Sequence, residues 1–127
     1  MMIASYTAAL LLVGIGVAHS VLGERYVLRR LQRLTDLPKL RLGGRELMVP
    51  VLRFAWHITS IAWFGFAAML VLIAQGALSS ENGAMVIAVT FLVCALCAGI
   101  ASRGRHYSWV VFLMVGVLAM HRALFSS

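Results

Sequence analysis

Four stretches of uncharged, largely apolar residues divide this chain, at about Met1 to Gly23, Phe54 to Ser80, Gly83 to Ser102 and Tyr107 to His121. The last reaches Phe125 if the long Arg122 side chain snorkels to the interface. Apolar positions within each stretch run on continuously, without the period-2 alternation of a barrel strand. A helix needs roughly 20 apolar residues, each rising about 1.5 Å, to cross about 30 Å of hydrocarbon. Lipid-exposed backbone must also satisfy its hydrogen bonds within its own segment. The pattern therefore predicts an all-α protein, a single-domain four-transmembrane-helix bundle. Its spans fall at about 2–23, 51–76, 83–102 and 107–125, with a basic cytoplasmic loop over about 24–50. The first stretch lacks the basic start of a signal peptide, and His19 spoils the small-residue pattern of a cleavage site, so it reads as a retained helix.

Composition sharpens this picture: 62% of the residues are hydrophobic and only 12% charged, leaving too little polar surface to cover a water-soluble fold. The formal charge of +7 raises the question of nucleic acid. A nucleic-acid binder, however, gathers its basic residues on a folded face with polar or aromatic company, whereas these sit between apolar runs. Arg25, Arg29, Arg30, Arg33, Lys39, Arg41, Arg45 and Arg53 cluster around the long connection, and Arg103 and Arg105 occupy the short third one. Only Arg122 falls on the other side, which also carries Glu81. The positive-inside rule then predicts a multi-pass protein of the cell membrane, of bacterial inner-membrane type, with both termini outside.

Within the long connection, Tyr26, Val27, Leu28, Leu31 and Leu34 group on one helical face, opposite most of Arg25, Arg29, Arg30 and Arg33. This predicts an amphipathic helix that continues from the first span along the membrane surface, with anionic lipid headgroups as its neighbours. Thr35 to Pro38 is expected to end it, Gly43-Gly44 to form a turn, and Pro50 to open the second span. Gly, Ala and Ser recur four apart at Gly14/Ala18 and Gly16/Ser20, a spacing that lets helix backbones approach closely.

Polar groups inside a bilayer are costly, so the few present mark where function is expected. His19, His57 and Cys97 fall at similar depth near the inner interface, with His106 at the inner start of the fourth span. Two imidazoles from neighbouring helices suffice for axial ligation of haem b, and imidazoles with a thiolate suit a transition metal. His19, His57, Glu24, Cys97 and His106 are accordingly the candidate ligands. Glu24 has a competing use: Arg53, one turn before His57, can pair with it and tie the first two helices together. Cys94 and Cys97, spaced Cys-x-x-Cys on an apolar helix, read as small packing residues. Trp56 and Trp63 flank His57 and Ser60 and read as helix packing, with a flat-cofactor or quinone pocket as the alternative.

The string His19-Ser20-Val21-Leu22-Gly23-Glu24-Arg25, followed by Trp56-His57, resembles a pattern of small bacterial four-helix membrane proteins of unassigned function. The likeness covers the first two spans and their connection and implies no activity. Small multidrug transporters share the size and span number but depend on an acidic residue within the first helix, where this chain has no carboxylate before Glu24. Fluoride channels match in length, yet their polar pore track is missing. No nucleophile with a base, phosphate loop or intramembrane carboxylate pair points to an enzyme. Three functions remain open: a haem or metal protein built on His19 and His57, an oligomeric transporter or channel whose histidines and Glu24 bind substrate or relay protons, and a noncatalytic subunit. In the last, Arg25, Arg29, Arg30, Arg33 and Arg53 would dock a membrane-protein partner or anionic lipid.

Overall fold

The computed structural model describes residues 1–34 and 44–125, with the backbone alone over 44–47. The described residues form helices and no strand: α1 (Met2–Leu22), a π-helical stretch (Gly23–Leu28), α2 (Arg29–Arg33), α3 (Gly44–Ala74), α4 (Ser80–Ser102) and α5 (Ser108–Phe125). Four helical runs, Met2–Arg33, Met48–Ala74, Ser80–Ser102 and Ser108–Phe125, are long and apolar enough to cross a membrane.

α1, the π-helical stretch and α2 form one unbroken rod of 32 residues, about 48 Å long at helical rise and so longer than about 30 Å of hydrocarbon. The rod ends at Leu34, whose backbone is extended (φ −73°, ψ 126°). The connection expected as a loop over 24–50 is therefore helical at both ends, because its basic amphipathic start simply prolongs α1 and Gly44 already opens α3. The predicted stop at Thr35 to Pro38 and the turn residue Gly43 lie outside the described residues. Pro50 does not start its helix. It lies within α3, past the first turn, where the missing N–H removes one bond to the carbonyl four residues earlier.

The helices pack in chain order, α1 against α3, α3 against α4 and α4 against α5. Small residues occupy the crossings. Gly16 lies against the Phe64 ring, Gly65 against Thr90 and Gly116 against Leu92, and Ala88 and Ala98 of α4 are wholly buried. Lipid supplies no hydrophobic drive between helices, so close van der Waals contact has to hold them, and small side chains permit it. Of the two expected pairs, Gly16/Ser20 lies at the α1–α3 contact, while Gly14 meets nothing within 4 Å. Large apolar side chains such as Leu10, Leu11, Leu96, Ile100, Met114 and Leu118 stay exposed, as a lipid-facing surface requires.

Candidate functional site

Where the C-terminal end of α1 crosses α3, two rows of polar side chains meet. Ser20 and Glu24 are four apart on the first rod and share a face. The π-helical stretch adds a third residue to that face, because the Arg29 amide bonds to the Glu24 carbonyl five residues back and the wider turn brings Arg29 round to Glu24. The Arg29 Nε then lies 3.7 Å from Glu24 Oε1. On α3, Arg53, His57 and Ser60 follow the i, i+4, i+7 spacing of one helix face.

His57 bridges the rows. Its Nδ1 lies 3.0 Å from Ser20 Oγ and its Nε2 3.4 Å from Glu24 Oε2. The Ser20 hydroxyl donates to Ser60 Oγ at 2.8 Å. Arg53 grips the Glu24 carboxylate as a fork, Nε donating to Oε2 at 3.0 Å and Nη2 to Oε1. Ser60 is fully buried, at 1% exposed, while Glu24, His57 and Arg53 become progressively more open, with 18%, 28% and 41% of the side chain accessible. A hydrogen-bonded row thus runs from a sealed hydroxyl inside the helix contact to an arginine at its edge. Paired charges at such a site are far better tolerated than a single one.

The same heavy-atom positions satisfy two hydrogen arrangements. When both ring nitrogens of His57 carry hydrogen, Nε2 donates to Glu24 and Nδ1 to Ser20, whose own hydroxyl then turns to Ser60. When His57 is neutral, the carboxylate, which only accepts, keeps the hydrogen on Nε2. Nδ1 then accepts from Ser20, and the two hydroxyls reverse. A proton can arrive at one nitrogen and leave from the other.

His19 sits in a separate aromatic clamp. Its ring stacks on Trp56, with centroids 4.6 Å apart and planes 3° from parallel, and meets the edge of Trp63 at 5.0 Å. The Trp56 indole N–H donates to the His19 carbonyl at 3.0 Å. Gly23 makes room for this indole: a Cβ there would lie 1.9 Å from Trp56 Nε1. The aromatic residues expected to pack or to line a cofactor pocket are thus seen packing around His19.

The proposed ligand set does not assemble. Among the described residues, no three His, Cys, Asp or Glu side chains come together as a metal site would need. His57 and Glu24 do meet, but Ser20 and Glu24 engage both His57 nitrogens, while the His19 ring stacks on Trp56 apart from them. His106 turns instead to Ser108 Oγ at 2.8 Å and to the Phe54 ring. Cys97 and the buried Cys94 are free thiols.

Two openings flank His57. A polar cleft of about 370 Å³ is lined by Ser20, Val21, Glu24, Arg25, Arg29 and His57. A larger groove of about 500 Å³ is lined by α3, α4 and Gln32 of α2. Arg53, His57 and Gln32 are polar members of its lining, and Phe54, Val93, Leu96, Ile100 and Ala101 apolar ones.

Ser20 and Ser60 are the site residues that the sequence reading leaves out, although the i+4 relation of Ser20 to Glu24 is a signal that the two share a face. Arg29, which the sequence places among the arginines that dock a partner or lipid, reaches Glu24 because the chain forms a π turn where a regular α-helix is expected. No known family model matches the sequence, and no curated protein or solved structure shows a significant likeness to it.

Proposed function

We propose that the chain is a small transport protein of the cell membrane that relays protons through Ser20, His57 and Glu24 and works as an oligomer. The observation that carries this reading is that both ring nitrogens of His57 are engaged, one by a hydroxyl and one by a carboxylate. Intramembrane His and Glu in contact are the usual material of proton relays, and Arg53 keeps the carboxylate in place without occupying the imidazole. The oligomer is part of the same proposal, in keeping with helices that pack in chain order, α1 on α3, α3 on α4 and α4 on α5, among the described residues. The remaining pathway wall would come from neighbouring copies.

The orientation belongs to the same proposal. With ten of the eleven basic residues on one side, that side faces the cytoplasm and both termini lie outside. Arg25, Arg29, Arg30 and Arg33 then meet the anionic headgroups of the inner leaflet at the end of the first rod.

The test is decay of an imposed pH gradient in liposomes containing the purified protein and an internal pH dye. Wild-type protein is expected to collapse the gradient faster than empty liposomes, and His57→Gln to restore the slow decay. Equal decay in all three preparations would overturn the proposal.

A further inference from the structure

We propose that the groove beside His57 takes a single-chain amphiphile with a carboxylate head, of the fatty-acid class, and that this head exchanges with Glu24 on Arg53. The inference rests on the proton-relay reading and names the substrate class of the same site.

The lining of the groove is amphiphilic. Arg53 and His57 of α3 contribute to it, and Val93, Leu96 and Ile100, spaced i, i+3, i+7 on α4, add an apolar wall one helix face wide. Its volume of about 500 Å³ falls among pockets for small ligands, which suits one chain better than the two of a phospholipid. Charge complementarity selects the head. The bonds from Arg53 to Glu24 use Nε and Nη2, and a guanidinium has five N–H donors in all, so some remain for a second carboxylate. The Arg53 side chain is also more open than Glu24 or His57.

Exchange at Arg53 couples the ligand to the relay. An arriving carboxylate competes with Glu24 for one guanidinium. His57, neutral with hydrogen on Nε2, first accepts a proton at Nδ1 from water through the cleft beside Ser20. The cation then passes its Nε2 proton to Glu24 as that carboxylate is loosened from Arg53. One proton is taken up for each carboxylate bound, and the net charge of the site is unchanged. An uncharged head of the same chain length leaves Glu24 on Arg53 and takes up no proton.

The experiment uses the full-length protein in phosphatidylcholine nanodiscs, with radiolabelled palmitate and hexadecanol as probes and a pH dye in weak buffer. Saturable palmitate binding with proton uptake is expected, with hexadecanol binding weaker by on the order of tenfold or more, the loss of one charged hydrogen-bonding head. Ala101→Leu narrows the groove outside the polar row, and should weaken palmitate while leaving gradient decay in palmitate-free liposomes unchanged. Equal binding of palmitate and hexadecanol, palmitate binding without proton uptake, or displacement of palmitate by phosphatidylglycerol would each overturn the inference. No saturable palmitate binding beside intact gradient decay would sink this inference alone. Palmitate binding with proton uptake beside absent gradient decay would sink the relay reading alone.

Discussion

Arg53 of α3 holds both oxygens of Glu24, two residues past the end of α1, and thereby ties the end of that helix to α3. Bidentate pairing fixes the plane of the carboxylate as well as its position. One Glu24 oxygen is thereby aimed at His57 Nε2.

Removing both partners should cost less than the two single losses added together. Arg53→Gln or Glu24→Gln leaves one charge poorly compensated at a half-open site, and each is expected to lower stability in detergent by about 1–2 kcal/mol, discounted for the exposure of Arg53. The double variant should be less destabilised than the sum of the two. Thermal unfolding of the four proteins of this double-mutant cycle reads the coupling directly.

Gly23→Ala should displace Trp56. The added carbon meets the indole at 1.9 Å, so the Trp56 bond to the His19 carbonyl and the stack on the His19 ring cannot both survive. A loss of roughly 1–3 kcal/mol follows, of the size of an overpacked core, together with a shift in tryptophan emission. Gly14→Ala, which meets nothing within 4 Å, is the matched control and should leave both unchanged.

Ser60→Ala removes the last hydroxyl of the row and leaves Ser20 with His57 as its only partner within it. Across membrane helices such a bond is worth roughly 0.6–1.7 kcal/mol, and thermal unfolding should show a loss in that range. The gradient decay should slow without vanishing, since the His57–Glu24 contact remains.

Topology should follow the arginines. Alkaline phosphatase fused after Phe125 is expected to be active and a fluorescent protein fused there dark, with the reverse for fusions within residues 35–43. The opposite pattern would place the polar site in the outer leaflet.

The spans were legible in the sequence because the solvent argument needs only length and continuity of apolar residues, which the four long helices share. The Glu24–Arg53 pair was legible as well, since opposite charges stand at facing helix ends. Less could be read where backbone geometry departs from the regular helix. Arg29 reaches Glu24 only through the π turn, and a helical wheel of 100° per residue puts it elsewhere. His19 and His57 come at similar depth, yet depth does not fix rotation: one ring turns to Trp56 and Trp63 and the other to Ser20 and Glu24. The expectation of a shared ligand pair rested on depth alone.

The central claim, that His57 passes protons between a hydroxyl and a carboxylate, is tested most directly by nitrogen NMR of ring-labelled His57 in liposomes, followed from alkaline to acid conditions. The account predicts hydrogen on Nε2, facing the Glu24 carboxylate, wherever the ring is neutral, with that preference lost in Glu24→Gln. A neutral ring with hydrogen on Nδ1 alone, or one indifferent to Glu24→Gln, would contradict it.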